Sequence, residues 1–306
     1  MTHSAVQLPG TPTVGFAGLG HMGAPMATRL LAAGISTAVW NRSPAAVASL
    51  TSKGAATAPS VESLRDCQTI IFMLPDLGFI EEAAGALLNS WRASPPSPGT
   101  VVAVMSSVSP QGVQAFGATV KEASGGNASV VDAPVSGGTV GAEKGTLAIM
   151  AGGAEADFQR ILPVLEAMGT TVRRLGELGA GSLAKACNQL LVGTTAAALA
   201  EAAELAERSG MDVPALFEVL AGGLADSQVL RIVGPRIMAK DYAPTGPAKF
   251  MHKDLGFVLE SAAAAGSAVP MAAAGRQLYG TLIDQGLGDA DLAVVRESIA
   301  RLAPRT

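Results

Sequence analysis

Lys185, Asn188 and Gln189 fall at i, i+3 and i+4 in a stretch otherwise rich in Ala and Leu, so a helix there gathers all three on one face. Polar groups buried without partners cost a few kcal/mol, and the grouping therefore needs a use. One use is a solvated stripe. The other is chemical: a lysine as general acid/base, with two amides orienting it and its substrate. A free lysine titrates at about 10.4, and partial burial or a neighbouring positive charge brings it toward a working range.

Three further clusters carry chemistry. Gly18, Gly20 and Gly23 fill the positions of G-x-G-x-x-G between the apolar start at Val14 and a helical pattern from Pro25. The first glycine permits the turn, the second a close approach of backbone to pyrophosphate, and the third close helix–strand packing. The helix start adds free N–H groups for phosphate. A fold that binds NAD places a carboxylate about 20 residues further on to hold the ribose 2′-hydroxyl. Asn41, Arg42 and Ser43 stand there instead, neutral and cationic donors that suit a 2′-phosphate. NADP is therefore expected, with NAD as the lesser alternative, and Ser43 doubles as an N-cap. Asp132-Ala133-Pro134-Val135-Ser136-Gly137-Gly138 closes a strand in a loop. Its hydroxyl and bare backbone amides suit a carboxylate or another anion, the alternative being a structural turn. Lys253 and Asp254 open a later helix, as an ordinary helix start or as a cover over the cofactor.

These groups need elements to hold them. Residues 13–176 alternate short apolar runs with helical patterns. The strands are expected at Val14–Gly18, Ser36–Trp40, Thr69–Leu74, Val101–Met105, Ser129–Asp132, Leu147–Ala151 and Thr171–Arg174. Helices such as Pro44–Lys53, Val61–Asp66, Leu77–Asn89 and Pro110–Glu122 lie between them. Runs apolar on both faces, separated by helices, predict an α/β, doubly wound, mostly parallel sheet. Strand patterns vanish over 177–306. A helix from Ser182 to Ser209 ends at Gly210, and five shorter helices follow. This second domain is expected to be all-α around the long helix, which is apolar enough to bury part of itself against another subunit. Residues 1–12 read as a loose tail.

Bulk properties exclude other classes. With 49% hydrophobic and 15% charged residues the 306-residue chain is globular. The net charge of −4 and the lack of a basic block argue against nucleic acid. Cys67 and Cys187 form neither a metal spacing nor a disulfide framework; both are expected to be buried in a reducing compartment. His3, His21 and His252 are too scattered for a metal site. Without a signal peptide or an apolar run long enough to span a bilayer, a cytoplasmic protein is expected.

Together, the four clusters resemble the β-hydroxyacid dehydrogenase family, which includes 3-hydroxyisobutyrate dehydrogenase, tartronate semialdehyde reductase and glyoxylate/succinic semialdehyde reductase. The resemblance runs from about Thr13 to about Ala303. It implies a Rossmann domain, a helical domain, and dimers or tetramers packed through the helical domains. It also implies that Gly18, Leu19, Gly20, His21, Met22 and Gly23 bind the dinucleotide phosphates and that Asn41, Arg42 and Ser43 select NADP. Leu74 and Pro75 match a segment lining the adenine-ribose side, and Ser107 matches the Ser/Thr of a D-x-S-T/S stretch. By the same resemblance Ser136, Gly137 and Gly138 hold the substrate carboxylate, Lys185 is catalytic, Asn188 and Gln189 are its amide pair, and Lys253 lies near cofactor and substrate. Two departures stand out. Val104 replaces the acid of D-x-S-T/S, and Gln189 replaces the second Asn of some members. The implied reaction moves a hydride between the nicotinamide and a small 3-hydroxyacid or its semialdehyde. The alternatives are an imine reductase, whose Trp40–Ser43 stretch is similar, and a non-catalytic NADP-binding protein.

Overall fold

A computed structural model describes residues 13–302; the expected tail at 1–12 lies outside them. The chain separates into two compact units, one ending at Lys185 and the other beginning at Ala186.

In the first unit, β1 (Val14–Ala17), α1 (Gly23–Ala32), β2 (Thr37–Trp40), α2 (Pro44–Thr51), β3 (Ala56–Thr57), β4 (Thr69–Phe72), α3 (Leu77–Ala93), β5 (Thr100–Val104), α4 (Pro110–Ala123) and β6 (Ala128–Asp132) alternate along the chain. Then come β7 (Val135–Ser136), α5 (Gly138–Lys144), β8 (Leu147–Gly152), α6 (Glu155–Glu166) and β9 (Gly169–Gly176). The sheet runs β3-β2-β1-β4-β5-β6-β8-β7, with β9 beside β8. Strands β1 to β6 pair in parallel, whereas β8 runs antiparallel to β6 and β7.

The expected doubly wound sheet follows from how the strand residues divide. Phe16 and Ile71 enter one hydrophobic cluster, while Ala17, Ile70 and Phe72 enter another. Alternate side chains point to opposite faces, and both faces are covered, as parallel strands require. The sequence pattern did not reveal β3 and β7, which are two residues long, too short to show a period. Val61–Asp66 shrinks to a 3-10 turn at Glu62–Leu64.

The helical series opens with α7 (Ala180–Arg208), whose first turns belong to the first unit. The second unit continues with α8 (Val213–Ala221), α9 (Gln228–Ala239), α10 (Lys249–Ala265), α11 (Pro270–Asp284) and α12 (Val295–Leu302). Small residues let neighbours approach α7 closely: a Cβ on Gly193 would lie 2.7 Å from the Met251 sulfur. The buried Tyr279 hydroxyl donates to the Gly193 carbonyl at 2.9 Å. Arg296 is buried as well, and donates to Ile237 O and Glu207 Oε2.

Two expectations need correction. Helix α10 begins at Lys249 rather than Lys253, because the amides of Ala248 and Lys249 bond to the carbonyls of Ala290 and Gly288. Asp254 is therefore not in a first turn. Cys67 is buried but Cys187 is exposed, since it lies on a face of α7 that the second unit's core leaves open.

Candidate active site

The carboxyl ends of β1, β2, β4 and β5 are neighbours at one edge of the sheet. β2 and β4 lie on opposite sides of β1, the reversal of strand order at which doubly wound sheets bind ligands. Gly18 leaves β1 with φ +104°, and a Cβ there would lie 2.8 Å from Leu74 Cδ2 and closer still to the Met73 carbonyl. A Cβ on Gly23 would overlap the Gly18 carbonyl oxygen. These two glycines are required by the fold. Gly20 is not: it is exposed, and a Cβ there would meet nothing within 4 Å. Helix α1 has no side-chain cap and no acid in its first turn. The positive end of its dipole therefore suits a dinucleotide pyrophosphate.

Asn41 is tied into this turn. Leu19 N donates to Asn41 Oδ1 at 2.9 Å, and Asn41 Nδ2 donates to Ser43 O at 3.2 Å. Arg42 and Ser43 are exposed. Ser43 occupies the N-cap position of α2, but its hydroxyl makes no capping bond. His21 is exposed, and Met22 packs against the sheet core. Leu74 N donates to the buried Ser106 hydroxyl at 2.9 Å, joining the ends of β4 and β5. Pro75 and Ser107 are the residues next to this link. Ser106 was not singled out from sequence. Val104 is wholly buried in β5, where an apolar side chain suits its surroundings.

Asp132 ends β6 and is fully buried. Its carboxylate accepts from Gly179 N at 2.9 Å and Ser182 N at 2.5 Å, and so caps the first turn of α7. Burial pushes its carboxyl above the ordinary value, against the pull of those two amides. Lys185 follows one turn later, half-buried. Sequence reasoning quoted Asp132 without giving it a role. The available signal was an acid closing an apolar strand, which must find donors if buried. Ser136 closes β7, half-buried and paired with Ala148 of β8, and the exposed Gly137 and Gly138 lead into α5.

The same face of α7 carries Asn188 and Gln189 into the second unit, both half-buried. Asn188 Nδ2 donates to Gln189 Oε1 at 3.0 Å, and Gln189 Nε2 donates to Asp254 Oδ2 at 2.7 Å. Lys253 Nζ lies 3.6 Å from Asp254 Oδ1. Asp254 was read only as a helix start or a cover. Its burial could not be seen until α10 was placed. Among the described residues no group of three His, Cys, Asp or Glu could hold a metal ion, and no helix is long and apolar enough to cross a membrane.

Residues 13–176 match the NAD binding domain of 6-phosphogluconate dehydrogenase, and residues 179–298 match the NAD-binding domain of NADP-dependent 3-hydroxyisobutyrate dehydrogenase. The chain is 36% identical to 2-(hydroxymethyl)glutarate dehydrogenase of Eubacterium barkeri, over 92% of this chain and 93% of that one. It is 34% identical to 2-hydroxy-3-oxopropionate reductase of Escherichia coli, over 95% and 98% of the two chains. A crystal structure of 3-hydroxyisobutyrate dehydrogenase from Salmonella typhimurium superposes with a TM-score of 0.83 at 31% identity, covering 93% of this chain and 98% of that one.

Proposed function

The chain belongs to the β-hydroxyacid dehydrogenase family, and we propose that it transfers a hydride reversibly between NADP(H) and a small 3-hydroxyacid or the matching semialdehyde. Lys185 is the general acid/base. The observation that carries this reading is the start of α7. Its first turn is pinned by a buried carboxylate, and one turn on it presents a lysine followed by two amides on one face.

Gly18, Leu19, Gly20, His21, Met22 and Gly23 would hold the dinucleotide phosphates, and Leu74, Pro75 and Ser107 would line the rest of the cofactor. The nicotinamide, when bound, supplies the hydride chemistry. The chain's own residues do the remainder. Ser136, Gly137 and Gly138 hold the substrate carboxylate, and Lys253 is the lysine that the family resemblance assigns to cofactor and substrate. In oxidation Lys185 Nζ takes the hydroxyl proton, and in reduction it returns it. Asn188 and Gln189 orient the amine and the substrate oxygen.

NADP over NAD is supported by the use already made of Asn41. Both ends of its amide are engaged within the turn, which leaves Arg42 and Ser43 as the exposed donors for a 2′-phosphate. A homodimer or tetramer through the helical region is supported by Leu191 and Leu205 of α7, which are 68% and 70% exposed in the single chain.

Cofactor absorbance, followed with NADP and NAD separately, tests the reading across three- and four-carbon hydroxyacids, sulfonate analogues and cyclic amines. Turnover of a hydroxyacid, faster with NADP, is expected, and Lys185→Ala should abolish it while cofactor still binds. Turnover of amines alone would make the protein an imine reductase. Cofactor binding with no turnover of any compound would make it a non-catalytic NADP-binding protein.

A further inference from the structure

Asp254 is 4% exposed. An ionised carboxylate only accepts hydrogen bonds, so the end of Gln189 that meets Oδ2 at 2.7 Å must be its amino group. That leaves Gln189 Oε1 as an acceptor, and Asn188 meets it at 3.0 Å with its own amino group. The two ends of an amide are nearly equal in shape, and only their partners distinguish them. Here a charge at one end of the series decides both amides. Lys253 Nζ lies 3.6 Å from the other carboxyl oxygen, Asp254 Oδ1, and 5.3 Å from the centre of the Phe257 ring.

We propose that Asp254 is a positioning residue: through Gln189 it fixes the polarity of the Asn188 amide. Asn188 turns its amino end to Gln189, which leaves its carbonyl oxygen to accept from the reacting groups. This rests on the reading of Lys185 as the general acid/base. A neutral amine has two N–H groups and one lone pair. Asn188 Oδ1 accepts one N–H from the amine, or the hydrogen of a substrate hydroxyl, and the lone pair stays available for the proton in transfer. With the amide reversed, an N–H of Asn188 would compete for that lone pair. The length of Gln189 thus has a use: its amide reaches the carboxylate on α10.

The test uses full-length protein with Asp254→Asn, which keeps the shape but presents either amide end to Gln189. Its kcat for hydroxyacid oxidation should fall about tenfold or more, with the KM for cofactor unchanged. The exchange variant Gln189→Glu/Asp254→Asn keeps the net charge. The amide now at position 254 then donates to the carboxylate now at position 189. That carboxylate also accepts from Asn188, and kcat should recover. In 15N-labelled protein the Asn188 side-chain amide signals should move in Asp254→Asn and return in the exchange variant. Wild-type kcat with unmoved Asn188 signals in Asp254→Asn overturns the proposal. So does an exchange variant no faster than Asp254→Asn that melts at the wild-type temperature. If the wild-type protein oxidises no hydroxyacid, the functional reading fails by itself, and Asn188 signals that stay put in Asp254→Asn overturn the relay independently.

Discussion

Gly181→Ala sets helix propensity against packing. In an exposed helix the change stabilises by up to about 1 kcal/mol, since Ala restricts the unfolded chain more than Gly does. Gly181 is the second residue of α7, and a Cβ there would lie 2.6 Å from the Asp132 carbonyl, 3.0 Å from Gly152 N and closer still to the Met150 carbonyl. All three are backbone atoms of the sheet and cannot rotate aside. Restoring ordinary contact requires the helix start to back away by roughly 1 Å. That stretches the bonds from Gly179 N and Ser182 N to Asp132, now 2.9 and 2.5 Å. Hydrogen bonds to a charged acceptor contribute about 1.5–3 kcal/mol each, and overpacking adds about 1–3 kcal/mol. Partial loss of each outweighs the propensity gain, so a net destabilisation of about 2–4 kcal/mol is expected. At about 2–4 °C per kcal/mol for a domain of this size, the Tm should fall by roughly 5–15 °C. Gly85→Ala is the control. It lies within α3, where a Cβ meets nothing within 4 Å, and it should melt at or slightly above the wild-type temperature. Thermal melts followed by circular dichroism decide the matter. A Gly181→Ala protein as stable as Gly85→Ala would refute the packing argument.

Arg42→Ala should raise the Kd for NADP by about tenfold or more while leaving that for NAD nearly unchanged; fluorescence titration with both cofactors checks this, and equal losses would remove the 2′-phosphate assignment. Burial raises the Asp132 carboxyl above its ordinary 3.8, so the native state keeps a proton that the unfolded chain has already lost. Stability therefore falls as pH rises between those two values. Asp132→Asn should abolish that slope in urea melts across the window. It should also cost about 1–3 kcal/mol at neutral pH, because its amino group faces a backbone donor and leaves it unmet. An unchanged slope would show that another group titrates there.

The parts of the fold legible in sequence were those with apolar runs long enough to stand out between turns. Val14–Ala17, Thr69–Phe72 and Thr100–Val104 are apolar on both faces and read directly as buried parallel strands. The glycine turn was legible because steric demand restricts Gly18 and Gly23 to one residue type. The true start of α10 was not legible, because its first donors are satisfied by carbonyls about 40 residues away in sequence, and no local pattern encodes a tertiary hydrogen bond. Ser106 was passed over for a similar reason. Its role is to accept from Leu74 N across two strands, which register alone decides.

Asp132 and Asp254 escaped assignment for a common reason. A lone carboxylate at the expected end of an element reads as solvated, since acids are seldom buried unless paired. Both are buried here, and each accepts from groups on α7 or its lead-in: Asp132 from the backbone of Gly179 and Ser182, Asp254 from the side chain of Gln189. The distinction matters for function. A capping carboxylate sets where a helix begins, and so where Lys185 stands along it. A carboxylate that accepts from an amide sets instead which way that amide points, and the direction passes on to Asn188. Position and polarity are separate requirements on a proton-transfer site, since a well-placed amine whose neighbour presents the wrong end still binds its proton poorly or releases it poorly. Variants of the two acids should therefore differ in kind. Changes at Asp132 should lower stability together with turnover, whereas Asp254→Asn should slow turnover in a protein that still folds.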